Sequence, residues 1–322
     1  MSSSGDAPRA SLRFEPKTAR LPIRPGSLNF GLVGYPIDKS LSPVMHDAAL
    51  AHHGLQGSYR RFDAPALEDL ERAFLALKAG TLHGFNVTLP WKLEAARLCV
   101  KHGGRLVGAA ARLNVVNTVV LKVHGDMLHP KSIEGHNTDV PGLVAAIHER
   151  WPELFHRAES DPTGRACVIG AGGAAYSSVM AAYELGYREI RVWNRSTNAA
   201  FALVSATGQG IVVTDLEQAT HKASLVLHAT TLGMGESGQT YRDTMAYAKA
   251  ALAFTAPDAR IVDLVYQPRP TPWVAAANEL GREADDGLAM LIHQAALAFS
   301  HWTGYPPPVE VMRQAAYAAL GM

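Results

Sequence analysis

The sequence predicts an α/β fold built around two sheets, and three observations support this. Apolar strand-like runs alternate with amphipathic helical stretches along most of the chain. A glycine-rich turn, GAGGAA at 170 to 175, follows one such run and opens a helical one, as in a Rossmann-type dinucleotide-binding domain. Two strongly amphipathic stretches close the chain. We therefore expect an N-terminal α/β domain, a Rossmann-type parallel-sheet domain and C-terminal helices that pack back on the first domain.

Size and composition agree with this expectation. A chain of 322 residues with 48% hydrophobic content can bury a large core, and its length favours about two domains. Thirty Lys and Arg against 29 Asp and Glu give a formal charge of +1, so no global field attracts nucleic acid or an anionic membrane.

Cysteine usage and the N-terminus bear on location. Cys99 and Cys167 are far apart and lack metal-ligand spacing, which predicts free thiols in a reducing compartment. No apolar run approaches the ~20 residues of a membrane span. Residues 1–27, rich in Ser, Arg and Pro, predict a flexible tail rather than a transit peptide. We expect a cytoplasmic protein, with monomer and homodimer both open.

Beyond the tail, strands and helices alternate in the first half of the chain. LNFGLVGYPI predicts a buried first strand, and SPVMHDAALAHHGL has helical spacing. GSYRRFDA predicts a strand and ALEDLERAFLALKAG a helix that ends at Gly80. LHGFNVTLP predicts a strand that ends at Pro90, and WKLEAARLCVKHGG predicts another helix. LNVVNTVVLKV predicts a Val-rich strand, and IEGHNTD predicts a further extended segment after a turn around Gly125.

The second half begins a new unit at RACVIGAGGAAYSSVMAAYELG, a strand, a glycine turn and a helix that closes at Gly186. REIRVWNRS, GIVVTDL, ASLVLHATTLGM and ARIVDLVYQP predict the further strands of a parallel sheet. GLAMLIHQAALAFSHWTG and PVEVMRQAAYAALGM are the closing helices.

The glycine turn predicts a dinucleotide site. Gly170, Gly172 and Ala175 satisfy G-x-G-x-x-G/A, which permits a tight turn and close approach of the backbone to a pyrophosphate. The alternative is a tight packing turn without a ligand.

The end of the next strand indicates which dinucleotide. Asn194, Arg195 and Ser196 stand where an acidic residue would bind the ribose 2′-hydroxyl of NAD. An amide, a guanidinium and a hydroxyl fit a 2′-phosphate better, because Arg offers a bidentate charged fork and an Asp would repel the dianion. NADP is therefore favoured, and NAD remains the alternative. A competing interpretation of Arg195 is a solvated charge in a loop, which would remove the argument for a 2′-phosphate.

Four segments of the first half carry short polar side chains at predicted strand ends: KSLSP, GFNVTLPWK, VVNT and EGHNTD. Such positions meet in one crevice of an α/β sheet. Together with NRS, DLVYQP and MLIHQAALAFSHWTG, and in this order, they closely resemble the shikimate dehydrogenase family over about residues 28–320.

The resemblance implies NADP-linked interconversion of 3-dehydroshikimate and shikimate, a step in chorismate and aromatic amino acid biosynthesis. It implies a catalytic domain at 28–140, a dinucleotide domain at 141–287 and helices at 288–322 that complete the catalytic domain. It implies that the substrate carboxylate is bound by Ser40, Ser42, Thr88 and Tyr266. It implies that the ring hydroxyls are bound by Lys92, Asn117, Asp139 and Gln294, with Lys92 and Asp139 nearest the reacting carbon. The implied cofactor contacts are Gly170, Ala171, Gly172, Gly173, Ala174, Asn194, Arg195, Leu264 and Gly287.

The chemistry also follows from the residue types. Hydride reduction of a ketone builds negative charge on its oxygen, and a lysine ammonium can stabilise that charge and supply the proton. Lys92 is therefore the predicted acid, with Asp139 beside it, while uncharged Ser, Thr, Asn and Gln groups orient a polyol.

Structural alternatives exist for each of these residues. Ser42 before Pro43 fits a helix N-cap, Asp139 could cap the helix that follows it, and Gln294 could be a satisfied amide on an apolar helix. Lys92 alone fits a solvated lysine near a helix start. The 14 histidines show no H-E-x-x-H spacing, so we predict no metal site.

The chain departs from the family pattern at several positions. The departures are LNV before VNT, His228 for the usual Asn, Ala289 for a common Gly, Asn198 where a second basic residue often stands, and Tyr176 for a frequent Arg. They leave the substrate residues intact and bear on the strength of cofactor binding.

Three other functions compete with this one. A quinate or dual quinate/shikimate dehydrogenase using NAD would share the fold and the Lys92–Asp139 pair. A non-catalytic NADP-binding paralogue would be expected to lack one of these two residues. A glutamyl-tRNA reductase could share NRS but would not explain KSLSP.

Overall fold

The computed structural model describes residues 27–123, 131–154 and 164–322. Most of the predicted tail and the turn around Gly125 lie outside these ranges. The strands are β1 (Leu28–Gly34), β2 (Gly57–Asp63), β3 (Gly84–Val87), β4 (Arg105–Leu106), β5 (Thr118–Val123), β6 (Lys131–His136), β7 (Arg165–Ile169), β8 (Glu189–Trp193), β9 (Ile211–Val212), β10 (Leu225–His228), β11 (Arg260–Asp263) and β12 (Glu283–Asp286).

The helices alternate with these strands over much of the chain. In chain order they are α1 (Ser42–His52), α2 (Leu67–Lys78), α3 (Lys92–Lys101), α4 (Ala109–Leu113), α5 (Asp139–Arg150), α6 (Gly173–Glu184), α7 (Thr197–Thr207), α8 (Leu216–Thr220), α9 (Gly238–Leu252), α10 (Pro272–Glu279), α11 (Leu288–Thr303) and α12 (Val309–Leu320).

The first sheet is mixed, with strand order β2-β1-β3-β5-β6-β4. β1 pairs in parallel with β2 and β3 through helical crossovers, whereas β5 runs antiparallel to both β3 and β6. The carboxyl ends of β1 and β3, and the loop that leads into β5, therefore meet at one edge. This edge carries the polar segments that the sequence singled out.

The second sheet is parallel throughout, with strand order β12-β11-β10-β7-β8-β9. This order reverses between β7 and β10, as in a doubly wound Rossmann sheet, so the predicted fold is confirmed. Ligands of such sheets bind at the carboxyl ends of the strands beside this reversal. The glycine turn after β7 lies there.

The closing helices pack back on the first sheet, as predicted. α11 and α12 share an apolar core with β1 and α1, whose buried members include Phe30, Met45, Ile292, Phe299 and Met312. Burial of these large apolar side chains stabilises the packing of α11 and α12 against β1 and α1.

Helix α5 leads from the first sheet to the second and packs against α11. A β-carbon built on Gly142 of α5 would lie 2.8 Å from the Gln294 Cβ of α11. Only a glycine permits this approach, and it brings Gln294 to the start of α5.

Two strand predictions need correction. The Val-rich run was expected to be extended from Leu113, but Leu113 ends α4, Asn114 is left-handed with φ +53°, and the strand begins at Thr118. Leu113 and Val115 pack instead into the core beneath the second sheet. Their apolar character serves this packing rather than a strand. The strand predicted from GIVVTDL is also shorter than expected, because β9 has only two residues.

The sequence did not predict β12, the edge strand of the second sheet. Its EADD sequence is rich in acidic residues, which are depleted in strands, and only pairing with β11 defines it. The two cysteines are buried free thiols, as predicted. None of the helices in the described ranges is long and apolar enough to span a membrane.

Candidate active site

Lys92 and Asp139 form the centre of the polar edge. Lys92 is the first residue of α3, shortly after β3, and Asp139 is the first residue of α5, shortly after β6. The Lys92 Nζ lies 2.7 Å from the Asp139 Oδ2, and the side chains are 13% and 5% exposed. Lys92 is therefore not the solvated lysine of the alternative interpretation.

Asp139 does not cap α5. The helix is capped at Thr138 without a side-chain bond, and the Asn137 Oδ1 accepts the amides of Asp139 and Val140, each at 3.1 Å. The capping alternative for Asp139 is wrong, because its carboxylate faces Lys92 instead.

Asn117 connects the remaining residues that are predicted to face the ring. Its Nδ2 lies 2.8 Å from the Asp139 Oδ1, 2.9 Å from the Thr138 Oγ1 and 3.4 Å from the Gln294 Oε1. Because an amide has two hydrogens for these three oxygens, the contact to Gln294 is the weakest. Lys92, Asp139, Asn117 and Gln294 form one connected polar group.

Two supporting residues escaped the sequence analysis. The Asn86 Nδ2 donates to the Asn117 carbonyl at 3.1 Å and to the Thr118 Oγ1 at 3.0 Å. The Tyr59 hydroxyl donates to the Asn86 Oδ1 at 2.8 Å. The signal for Asn86 was present, since an amide between the apolar residues of GFNVT needs buried partners.

Ser40 and Ser42 form a second small group. The Ser40 Oγ donates to the Ser42 Oγ at 3.1 Å, and the Ser42 amide donates back to the Ser40 Oγ at 3.2 Å. α1 begins at Ser42 and is capped at Leu41 with no side-chain bond, so the capping alternative for Ser42 is wrong. Burial raises the pKa of the Tyr59 phenol, and the Ser42 side chain partly offsets the shift, so Ser42 lies near the tyrosine that bonds Asn86.

Thr88 and Tyr266 lie close to the serine loop and to β1. The Thr88 amide donates to the Val33 carbonyl at 3.0 Å, and its methyl group would be 2.4 Å from a β-carbon on Gly34. Burial raises the pKa of the Tyr266 phenol, and a hydrogen bond with the Leu41 backbone partly offsets the shift. The phenol therefore remains a hydrogen-bond donor at neutral pH.

The glycine turn presents backbone to open space. Gly170 has φ +125° and a β-carbon there would lie 2.8 Å from the Ala229 carbonyl oxygen, whereas no atom of the described residues lies within 4 Å of a β-carbon on Gly172. α6 begins at Gly173 with no side-chain cap, so its first amides are available to an anion. Ala171 and Ala174 pack on the core below. The turn therefore fits a pyrophosphate.

Lys92 touches this turn. A β-carbon on Gly173 would lie 3.2 Å from the Lys92 Cδ. The aliphatic stem of Lys92 thus packs against the start of α6 while its ammonium reaches Asp139. This contact joins the polar edge of the first sheet to the glycine turn of the second.

The predicted phosphate residues follow β8, next to the glycine turn. The Gly170 amide donates to the Trp193 carbonyl at 2.8 Å, and the Asn194 Nδ2 donates to the Ser196 carbonyl at 3.0 Å. Arg195 is exposed and forms no ion pair with any residue in the described ranges. Its charge is therefore available to a phosphate.

Leu264 and Gly287 contact each other on the opposite side of the reversal point. A β-carbon on Gly287 would lie 2.2 Å from the Leu264 carbonyl oxygen, so only glycine fits there. The Leu264 amide donates to the His228 carbonyl at 2.9 Å and the Gly287 amide to the Val265 carbonyl at 3.1 Å. These bonds fix both residues at the carboxyl ends of β11 and β12.

Comparison with known proteins finds similarity to one family. Residues 32–119 match the family model of the shikimate dehydrogenase substrate binding domain, and residues 287–317 match that of the shikimate 5′-dehydrogenase C-terminal domain. The shikimate dehydrogenase (NADP(+)) of one Thermus thermophilus strain is 37% identical over 302 residues, which are 92% of this chain and 100% of that protein.

Two solved structures are also similar to this chain over most of its length. The crystal structure of shikimate 5-dehydrogenase from Thermus thermophilus in complex with NADP(H) and shikimate matches with a TM-score of 0.69 and 34% identity, over 91% of this chain and 99% of that one. Quinate dehydrogenase from Corynebacterium glutamicum in complex with NAD matches with a TM-score of 0.72 and 30% identity, over 92% and 99%.

Proposed function

Since the chain belongs to the shikimate dehydrogenase family, we propose that it catalyses the reversible NADPH-dependent reduction of 3-dehydroshikimate to shikimate. The observation that carries this proposal is the position of Lys92. Its ammonium lies 2.7 Å from the Asp139 carboxylate, and its stem packs on the glycine turn at Gly173. Proton donor and cofactor turn are therefore neighbours.

Lys92 acts as the acid in the reductive direction. The NADPH cofactor supplies the hydride when bound. The Lys92 ammonium stabilises the negative charge that builds on the ketone oxygen and gives that oxygen a proton. Asp139 holds the ammonium in place, and in the oxidative direction the neutral amine of Lys92 takes the proton back from the hydroxyl.

The remaining polar residues orient the ring. Asn117, tied to Asp139 at 2.8 Å, and Gln294 present amides to the ring hydroxyls. Ser40, Ser42, Thr88 and the Tyr266 hydroxyl donate to the carboxylate, for which uncharged donors are sufficient. We assign these roles from the site geometry together with the family pattern.

NADP would be held by three segments of the second sheet. The amides of 170 to 174 would face the pyrophosphate, Arg195 with Asn194 and Ser196 the 2′-phosphate, and Leu264 with Gly287 the nicotinamide side. The open face at Gly172 and the unpaired, exposed Arg195 support this assignment within the described residues.

We further propose a division into a catalytic domain at 28–140, a dinucleotide domain at 141–287 and completing helices at 288–322. The separate sheets support it. A cytoplasmic location and a monomeric or homodimeric state belong to the same proposal, and both buried cysteines are consistent with a reducing compartment.

A two-by-two steady-state assay of the purified protein tests the function. Shikimate and quinate are each oxidised with NADP and with NAD, and kcat/KM is compared. We expect shikimate with NADP to give the highest value. Higher values for quinate with NAD would establish the quinate dehydrogenase alternative. The match to the quinate dehydrogenase structure from Corynebacterium glutamicum is the observation that favours this alternative. Binding of NADPH without turnover of either polyol would identify a non-catalytic paralogue.

A further inference from the structure

His228, at the end of β10, is a buried polar residue that the mechanism does not use. Its Nδ1 lies 2.7 Å from the Asp263 Oδ1 at the end of β11, and both side chains are fully buried. The ring stacks on Trp273 at a centroid distance of 4.2 Å. The imidazole is therefore held in one orientation by a hydrogen bond and by packing.

The second ring nitrogen faces the cofactor turn. The His228 Nε2 lies 2.6 Å from the Thr230 Oγ1, which also accepts the Leu232 amide at 3.1 Å. The Thr230 methyl group would lie 3.1 Å from a β-carbon on Gly170. Thr230 is thus a half-buried hydroxyl beside the first glycine of the turn, and His228 fixes its position.

At its Asp263 end, this series of hydrogen bonds reaches the segment with Leu264, which is also predicted to contact the cofactor. The Asp263 Oδ1 accepts the Val265 amide at 3.1 Å, while the His228 carbonyl accepts the Leu264 amide at 2.9 Å. Hydrogen bonds to His228, Asp263 and Thr230 therefore hold the backbone that follows β10 and the backbone that follows β11.

We propose that His228 is a positioning residue for the dinucleotide, acting through the Thr230 hydroxyl. A fully buried His–Asp pair gains little over an apolar pair of the same volume if its only purpose is stability. Here the chain of hydrogen bonds ends on a hydroxyl at the partly open edge of the site, where it fixes one hydrogen-bonding group for the cofactor. This inference rests on the proposed function, because it takes the edge at Gly170 as the dinucleotide site.

Direct binding of NADPH to the purified protein without substrate tests the inference. NADPH fluorescence gives Kd for the wild type, for His228→Asn, for Thr230→Val and for the double variant. We expect each single variant to bind NADPH about 3- to 10-fold more weakly, the effect of one hydrogen bond. The double variant should bind no more than about twofold more weakly than Thr230→Val, because both changes remove the same contact.

Matched controls separate positioning from structure. Thr230→Ser keeps the hydroxyl and should restore binding to within about twofold of wild type, and Thr231→Val removes a neighbouring exposed hydroxyl and should change nothing. The Kd for shikimate should stay within about twofold in every variant. If His228→Asn does not fold, Thr230→Val still tests the inference, because an unchanged Kd for NADPH in that variant would overturn it.

Two other results would overturn the inference. One is additive losses in the double variant. The other is a lower melting temperature of His228→Asn with an unchanged Kd for NADPH, which would leave the histidine a structural residue only. A wild type that does not bind NADPH would instead contradict the proposed function, so the two failures are distinguishable.

Discussion

The two sheet edges that form the site are built in opposite ways. On the first sheet, Lys92, Asp139 and Asn117 bond to one another at 2.7 and 2.8 Å and are largely buried. On the second, no part of the chain that the structure describes lies within 4 Å of a β-carbon on Gly172, and Arg195 is exposed. The edge of the first sheet with Lys92, Asp139 and Asn117, which we call the proposed substrate edge, is bonded within itself. The edge of the second sheet with Gly172 and Arg195, the proposed cofactor edge, presents groups without such bonds among the described residues.

This difference predicts how substitutions combine. Residues in one hydrogen-bonded network lose function together, so their effects are not additive, while separated groups contribute independently. The effects of substitutions within the substrate edge are therefore expected to be non-additive. The effects of substitutions at the cofactor edge are expected to add in free energy. The predictions below test this contrast from the largest expected effect to the smallest.

Replacing Lys92 should have the largest effect. We expect Lys92→Ala to slow shikimate oxidation by roughly 10²- to 10⁴-fold in kcat, because it removes the general acid-base group, with a smaller change in KM. Asp139→Asn should also be slow, and the double variant should be little slower than Lys92→Ala alone. Steady-state kinetics of the three variants measures this.

Lys101→Ala is the matched control, since Lys101 lies on the same helix, is 62% exposed and pairs with Glu71. It should leave kcat unchanged. A Lys92→Ala enzyme that keeps more than a third of the wild-type turnover would remove Lys92 from the mechanism, and additive losses with Asp139→Asn would contradict the coupled substrate edge.

Ser42→Ala should weaken substrate binding while the protein stays folded. Losing one hydrogen bond to a carboxylate costs about 1.5 to 3 kcal/mol, hence roughly 10- to 150-fold in KM for shikimate. Because the Ser42 hydroxyl caps no helix, the melting temperature should barely change. Kinetics and thermal melting of the same preparation decide. A lower melting temperature with an unaltered KM would give Ser42 a structural role instead.

Arg195→Ala should reduce the preference for NADP over NAD. One charge-assisted contact to a 2′-phosphate is worth about 1.5 to 3 kcal/mol, or roughly 10- to 150-fold in specificity. We expect the lower half of that range, because Asn198 cannot add a second charge. The KM for NADP should rise and that for NAD should not. Arg188→Ala, at another exposed arginine of this half of the chain, is the control.

Equal losses with both cofactors would show that Arg195 supports its loop rather than a phosphate. A wild-type preference for NAD would overturn the phosphate assignment and favour the quinate dehydrogenase alternative. Combining Arg195→Ala with Ser42→Ala tests the contrast directly, since losses from the two separate edges should add in free energy.

Strand ends were the part of the site that the sequence could predict. Polar side chains directly after apolar runs in an α/β pattern must meet at one sheet edge, and Lys92, Asn117 and Asp139 do so. The glycine turn was predictable for a similar reason, because φ +125° at Gly170 requires glycine. Local pattern and global fold agree at these positions.

Positions decided by distant contacts could not be predicted. β12 is a strand only because β11 pairs with its acidic sequence, and the run from Leu113 is not extended because Leu113 and Val115 fill the core under the other sheet. A helix cap was the local alternative for Asp139, but its carboxylate pairs with the distant Lys92 while Asn137 accepts the helix amides. In each case a tertiary partner outweighed the local preference.

The smallest expected effect is on stability against acid, and it concerns His46 of α1. His46 is buried about one helical turn after Ser42 and stacks on Tyr59 at a centroid distance of 4.3 Å. Burial lowers the pKa of His46 from 6.5 to about 3. Between these values the unfolded chain binds a proton that the native protein does not, so the free energy of unfolding falls as pH drops below 6.5, by about 1.4 kcal/mol per pH unit.

His46→Phe keeps a ring of similar size without the titrating group, so it should flatten this slope, whereas above pH 6.5 the two proteins should show the same pH dependence. His301, whose burial lowers its pKa to about 4, contributes to the slope in both proteins and therefore cancels in the comparison. Urea unfolding at pH 7.5 and 5.5 measures the difference, and the expected gain of the variant at pH 5.5 is about 1.4 kcal/mol relative to pH 7.5. Parallel pH profiles would mean that the native protein accommodates a charged His46. The substrate edge would then be less closed than its hydrogen bonds imply, and the contrast with the open cofactor edge would be correspondingly weaker.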